Sequence, residues 1–234
     1  MNESFDSNDA FISLEHVEKS YPNARDRDPL RILTDVHATI KKGDRVAILG
    51  PSGSGKSTLM ALLAGLDRPT GGKVSVLGQD LGSLSESELG QFRAKHLGIV
   101  FQQFHLIGHL TAQENVALPL RILNVAPREA MERAAAALAD VGLGHRLDHV
   151  PSRLSGGECQ RVAIARAMIT KPTGILADEP SGNLDVRTGA QVMGLLFDLT
   201  KAHGITLILV THNEELAKWC DVRLMLNEGR LEHG

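Results

Sequence analysis

The 234-residue sequence predicts an α/β fold with a mostly parallel sheet, an antiparallel β layer in front of it and a helical insert. Three observations predict it. First, the apolar run Val46-Ala47-Ile48-Leu49 leads straight into Gly50-Pro51-Ser52-Gly53-Ser54-Gly55-Lys56-Ser57-Thr58, which fits G-x-x-x-x-G-K-[ST] at every fixed position. Second, further apolar runs at 97–101, 174–178 and 206–210 are each followed by helical patterns or polar residues, as in a parallel sheet whose site lies at the carboxyl ends of its strands. Third, the segments ahead of the loop are short and separated by turns, as in antiparallel strands.

The elements follow in chain order. Residues 1–10 are acidic and polar and read as a disordered tail. Phe11 to Val17 alternates loosely and predicts a strand, with Tyr21, the only tyrosine, just beyond it. Pro22 to Pro29 reads as a loop and Ile32 to Ile40 as a second strand. Lys41-Lys42-Gly43-Asp44 turns into the strand at 46–49. After the glycine-rich loop, Leu59, Leu62, Leu63 and Leu66 recur at helical spacing. Pro69 to Gly72 is a turn, Lys73 to Leu77 a strand, and Ser85 to Lys95 a helix with cap residues at its start. Leu97 to Phe101 is a strand that Gln102 leaves. Thr111 to Leu123 reads as a helix interrupted at Pro119. Pro127 sits at a first helical position, and the alanine-rich stretch behind it stops at Gly142.

Ser155 opens a long helix to about Thr170, and Gly174 to Ala177 is a short strand ending in Asp178-Glu179. Val192, Leu195, Leu196 and Leu199 mark another helix, and Thr206 to Val210 a buried strand ending at Thr211-His212. A helix over 214–220, with Trp219 packed under it, and a hairpin turned at Asn227-Glu228-Gly229 close the chain. The reading is one domain over 11–234, with a mainly helical subdomain inserted at about 86–154.

Composition narrows the function classes. A net charge of −3 gives no support for a nucleic-acid surface. Two distant cysteines, Cys159 and Cys220, form no disulfide framework or metal-ligand spacing, which points to a reducing cytosol. The N-terminus lacks the basic and apolar regions of a secretory signal. No run approaches 18 apolar residues, so any work at a membrane is expected to go through a partner.

The glycine-rich loop carries the chemistry. Its glycines let the backbone approach an anion, and its N–H groups and the following helix N-terminus attract one. Lys56 can reach outer phosphates, and the Ser57 hydroxyl can ligate Mg²⁺. Asp178 and Glu179 end an apolar strand, where one acid can hold a metal through water and the other can act on a nucleophilic water. Ser155-Gly156-Gly157-Glu158 is a capping box in sequence. Two glycines in a helix's first turn cost stability, so a phosphate approaching that helix end is an attractive reason for them.

Leu154-Ser155-Gly156-Gly157-Glu158-Cys159-Gln160 resembles the signature motif of ABC-type ATPases. The family's other landmarks follow in order. Gln102 matches the Q-loop glutamine, Ile175 to Glu179 resembles Walker B, Ser181 to Asp185 resembles the D-loop, and His212 matches the switch histidine. Tyr21 falls where the family stacks an aromatic on adenine. Within the family, Ala64 to Gly71, Glu114 to Leu120 and Ala177 to Asp185 look like the lipoprotein-release and macrolide-export branch, and Ala94 to Gly98 and Gly144 to His149 are most similar to its YbbA-type subunits. Two positions depart from the branch: Ser181 stands for its usual Thr, and Cys159 for a Gln or Arg.

The resemblance implies a P-loop NTPase of the ABC type, with a RecA-like parallel core. It implies an Mg²⁺-dependent ATPase that works as a head-to-tail dimer with a second copy. Gly50 through Thr58 and Tyr21 of one copy and Ser155, Gly156, Gly157 and Glu158 of the other would hold one ATP. Lys56 would neutralise the β and γ phosphates, and Ser57, Gln102 and Asp178 would serve the metal. Glu179 would act on water, His212 would contact the γ-phosphate, and Asp185 would signal across the interface. An integral membrane permease would be the partner, docking near Phe104, Leu106, Ile107 and Leu110. The chain would sit peripherally on the cytoplasmic face of the inner membrane, with no nucleic-acid partner. The alternative is a regulatory ATPase module that controls a membrane partner without transport.

Overall fold

The computed structural model describes residues 9–22 and 28–233. In chain order the strands and helices are β1 (Ala10–Tyr21), β2 (Leu30–Lys41), β3 (Arg45–Leu49), α1 (Lys56–Leu63), β4 (Gly71–Val76), β5 (Gln79–Asp80), α2 (Glu86–His96) and β6 (Leu97–Phe101). They continue as α3 (Ala112–Ile122), α4 (Pro127–Asp140), α5 (Gly156–Met168), β7 (Gly174–Asp178), α6 (Val186–Ala202), β8 (Thr206–Val210), α7 (Glu214–Ala217), β9 (Val222–Asn227) and β10 (Arg230–His233). The chain forms two compact units, one of residues up to 89 and from 206 onward, the other of residues 90–205.

The first unit holds an antiparallel sheet in the order β2-β1-β4-β5. It also holds the strand run β10-β9-β3-β8, in which β3 is parallel to both β8 and β9. All five residues of β8 are buried, as are Val46, Ala47 and Ile48 of β3. Burial on both faces is why these strands read as unbroken apolar runs rather than alternating ones. Helix α1 packs Leu59, Leu62 and Leu63 into this core. It ends at Leu63, so Leu66 lies past the helix and is exposed, although its spacing fits the helical repeat.

The second unit pairs β6 and β7 in parallel, with Phe101 opposite Asp178. Around them stand α3, α4, α5 and α6. Helix α3 runs through Pro119 without interruption. A complete capping box at Thr111 and Glu114, with Ala112, Asn115, Val116 and Leu120 buried, outweighs the lost backbone bond. Asn115 is fully buried, and its amide donates to the Ile107, Leu110 and Thr111 carbonyls, fixing the loop before the helix. Gly142 takes φ +75° just after α4, as its position past the helix end requires.

Residues 1–8 of the expected tail lie outside the described residues, and Ala10 already opens β1. The expected loop at 22–29 falls mostly on residues 23–27, also outside them. The second unit begins at Gly90 and runs to Ile205, so it takes in β6, β7, α5 and α6 beside the helices of the insert read at 86–154. Trp219 is 44% exposed rather than packed under a helix, because α7 stops at Ala217.

Candidate nucleotide site

In the first unit, β3 delivers the glycine-rich loop and β8 delivers Thr211 and His212. The two strands are parallel with Ile48 opposite Val210, so both segments leave the same end. The Thr211 N–H donates to the Ile48 carbonyl at 3.2 Å, and the Thr211 hydroxyl accepts from Asn213 N–H at 3.0 Å. The exposed His212 sits between these anchors.

Within the loop, Gly50 and Gly55 are required by close approach. A Cβ at Gly50 would run into the Leu226 carbonyl, and one at Gly55, which caps α1 at φ +101°, would meet Ile32 and Leu33 at about 3 Å. The Lys56 side chain is buried, and its ammonium donates to the Gly50 and Pro51 carbonyls at 2.8 Å each. Ser54 Oγ is buried and has no hydrogen-bond partner among the protein atoms. Ser57 is exposed at the first turn of α1. A buried cation and an unsatisfied hydroxyl in a glycine loop are what a phosphate would complete.

Tyr21 is held by a network that sequence reasoning missed. Its hydroxyl donates to Asp67 at 2.8 Å, and the buried Lys19 ammonium donates to Asp67 at 2.7 Å and lies 4.7 Å from the tyrosine ring centre. The hydrogen bond to Asp67 pushes the Tyr21 hydroxyl above its usual pKa. Burial pulls the Asp67 carboxyl upward, but bonds from Lys19, Tyr21 and the Arg68 backbone outweigh it and hold the group below its ordinary range. A carboxyl lowered in this way stabilises the fold above its unfolded pKa and ceases to as pH falls through the folded one. Asp67→Asn is therefore expected to cost about 2 kcal/mol at pH 7, since it strips the buried Lys19 of its counter-charge. Thermal denaturation of both proteins from pH 7 downward checks it. The gap should narrow as pH falls below about 4, where the unfolded chain's aspartate takes up a proton, and close once the folded carboxyl, held lower, is protonated too.

The second unit groups Gln102, Asp178 and Glu179 at the ends of β6 and β7. Gln102 and Asn183 exchange bonds: the Gln102 amide nitrogen donates to Asn183 Oδ1 at 3.2 Å, and Asn183 Nδ2 donates to the Gln102 carbonyl at 3.0 Å. Gly182 passes so near Gln102 that a Cβ there would meet its amide at 2.7 Å. Glu179 leaves β7 at φ +43°, a conformation unusual for glutamate, and its carbonyl accepts from Gly182 N–H at 2.9 Å. That turn sets Glu179 off the strand line while Asp178 stays in the sheet.

The capping box at α5 is present. Ser155 Oγ accepts from Glu158 N–H, and Glu158 Oε2 accepts from Ser155 N–H at 2.8 Å. Arg146 adds a third tie, its Nε donating to Glu158 Oε1 at 2.9 Å. These bonds, the Ser155 backbone first, hold the Glu158 carboxyl below its ordinary pKa. The two glycines have a reason inside the fold. A Cβ at Gly157 would run into the Thr188 methyl group, and one at Gly156 would meet Leu184 at 3.2 Å. The start of α5 thus rests against the start of α6, where Asp185 caps by accepting from Thr188 N–H at 3.0 Å. Cys159 is buried, its thiol pushed upward in pKa by that burial and its Sγ 3.7 Å from the Pro151 carbonyl, so it is a packing residue and not a reactive one.

Arg166, also missed, reaches from α5 to the segment after Gln102. Its guanidinium donates to the His105 carbonyl at 2.6 Å and the Phe104 carbonyl at 2.8 Å, and both of those residues have positive φ. Phe104, Leu106 and Leu110 are half-buried and Ile107 is exposed.

The sequence profile of the ABC transporter family matches residues 33–182, more than half of the chain. The chain belongs to the ABC transporter family. As an ABC ATPase it binds and hydrolyses ATP. Among its relatives, the ABC transporter ATP-binding protein YbbA of Escherichia coli strain K12, itself uncharacterized, is 48% identical over 94% of this chain and 96% of that protein. The lipoprotein-releasing system ATP-binding protein LolD of Alcanivorax borkumensis is 50% identical over 86% of this chain and 89% of that protein. These two bear out the branch read from the motifs. A dimeric structure of MJ0796, a bacterial ABC transporter cassette, superposes with a TM-score of 0.86 at 40% identity, covering 95% of this chain and 97% of that one. MJ0796 in a dimeric post-hydrolysis state with ADP and phosphate gives the same TM-score at 39% identity over 95% of this chain and 98% of that one.

Proposed function

We propose that this chain is the motor subunit of a membrane complex, in which two copies close head to tail on ATP and drive an integral permease. The observation that carries the reading is the loop itself: a buried Lys56 ammonium and an unpartnered Ser54 hydroxyl, cradled by glycines. Likeness to MJ0796 in dimeric form supports the two-copy arrangement.

Each residue then has a task. The Gly50–Thr58 backbone and Lys56 bind and neutralise the phosphates. Tyr21, fixed by Asp67, offers its ring to the base. Ser57, Asp178 and Gln102 present hard oxygen donors that suit Mg²⁺. With the Gln102 amide nitrogen given to Asn183, its oxygen is the atom for a cation. Mg²⁺, when bound, supplies charge neutralisation on the phosphates. Glu179 takes a proton from the attacking water, and His212 contacts the terminal phosphate. Ser155, Gly156, Gly157 and Glu158 of one copy, shaped by their capping box, face the nucleotide of the other. Asp185 lies beside that helix start and reports across the interface. Phosphoryl transfer asks mainly for position and charge, and this set supplies both.

No helix among the described residues is long and apolar enough to cross a membrane. The permease therefore supplies the spans, and the chain acts from the cytoplasmic face of the inner membrane. Phe104, Leu106, Ile107 and Leu110 are the docking candidates. Affinity capture of the full chain from detergent-solubilised membranes, followed by reconstitution of the captured complex in vesicles, tests this. ATP-dependent movement or extraction of a substrate is expected. ATPase activity with no membrane protein captured would overturn the reading, and capture with no movement would favour regulation instead.

A further inference from the structure

Away from the nucleotide site, His16, Asp35 and His37 meet on the outer face of the β1–β2 pair. His16 Nδ1 lies 2.8 Å and His37 Nε2 2.9 Å from the same Asp35 oxygen. The ligand-type atoms of all three residues lie within 4.8 Å of one another, the one such group of His, Cys, Asp or Glu among the described residues. The two imidazoles stand edge to face, with ring centres 4.1 Å apart. The side chains are 78%, 56% and 48% exposed in chain order, so solvent ions reach them freely.

The backbone is shaped to bring them together. In the β1–β2 ladder Leu14 pairs with Ala38 and Val17 with Val36, so Glu15 and His16 stand opposite His37 alone. Next to this, Val17 pairs with Val36 and Lys19 with Leu33, so Thr34 and Asp35 stand opposite Glu18 alone. These are two adjacent bulges, one in each strand. Each carries a non-glycine residue at positive φ, His16 at 50° and Asp35 at 54°. A bulge re-aims a side chain out of strict alternation, and here both re-aimed residues belong to the cluster. The first bulge is held from its other side. Glu15 pairs with Lys73 and Glu18 with Gly71 of β4, and a Cβ at Gly72 would run into the His16 carbonyl. Only glycine allows that approach, which fixes the His16 backbone.

We propose that His16, Asp35 and His37 form a binding site for a divalent transition-metal cation, of which Zn²⁺ is the best match. Two imidazole nitrogens and one carboxylate oxygen are the donor set that Zn²⁺ accepts, with metal–ligand bonds of about 2.0–2.2 Å and a fourth position left to water. Imidazoles select against Mg²⁺ and Ca²⁺, which prefer oxygen alone. The cation would tie β1 to β2 on the strand whose far end carries Tyr21. The site is independent of the ATPase reading, and its test uses no nucleotide.

The experiment is calorimetric titration of the untagged full chain with zinc chloride, repeated with excess Mg²⁺ present. Roughly one Zn²⁺ per chain is expected, undisturbed by Mg²⁺. His16→Asn, Asp35→Asn and His37→Gln should each weaken binding on the order of tenfold or more. Asparagine tolerates the positive φ at 16 and 35, so the bulges survive the change. His203→Gln, at the exposed end of α6, should bind as the parent does. Zinc should raise the melting temperature of the parent more than that of His16→Asn at the same zinc concentration. Failure of the parent to bind, or equal binding by His16→Asn and His37→Gln, overturns the assignment.

Discussion

Lys56→Ala is expected to abolish productive ATP binding. The Lys56 ammonium is buried in the loop and bonded to the Gly50 and Pro51 carbonyls, with the Ser54 hydroxyl unsatisfied nearby in sequence. Alanine removes the positive charge and takes the Lys56 donor away from the Gly50 and Pro51 carbonyls. An electrostatic contact of this kind contributes about 3–4 kcal/mol to a transition state, so turnover should fall by about 10²–10³-fold. Nucleotide affinity should fall too, because the same charge acts on the bound phosphates. Fluorescent-nucleotide titration beside a steady-state phosphate assay checks both quantities. A circular-dichroism melt separates this loss from unfolding. If the variant binds and turns over like the parent, Lys56 has no part in the site.

Glu179→Gln is expected to split binding from hydrolysis. The replacement keeps size and shape, so the turn at φ +43° and the bond from Gly182 to the Glu179 carbonyl should persist. What it loses is the ability to accept a proton. General-base catalysis is worth about 10²–10⁴-fold, and the rate should drop within that span while ATP affinity stays near the parent's. A protein that binds but does not turn over should accumulate as the two-copy state. Size-exclusion chromatography with ATP, set against the phosphate assay, reads both effects. Normal turnover in this variant would remove Glu179 from the role.

What was legible in the sequence was what is local. The strand–loop–helix run from Val46 to Leu63 carries its signal in consecutive residues, and the structure follows it closely. The capping box at Ser155 is equally local. The parallel strands could be read because burial on both faces forces long apolar runs. What stayed hidden is made by residues far apart in the chain. Lys19 and Tyr21 meet Asp67, which lies 48 and 46 residues away. Asn183 bonds Gln102 across 81 residues. The bulges that gather His16, Asp35 and His37 depend on register, which no single strand encodes. Local rules also misled where packing overrode them: Pro119 did not break its helix, and Leu66 fits a period that the helix does not reach. The glycines of Ser155-Gly156-Gly157 suggested an approaching anion, and the fold adds a second constraint invisible in sequence, the Thr188 and Leu184 side chains beside them.

The Arg166 contact has a consequence for how this protein can change over time. Its guanidinium holds the main chain of Phe104 and His105, and no side chain of that segment takes part in those two bonds. The acceptors are main-chain carbonyls, so replacing the side chains at 104 or 105 removes neither of them. The route of the segment is therefore set by α5, while its surface is written by its own residues. A lineage can rewrite that surface without redrawing the path beneath it.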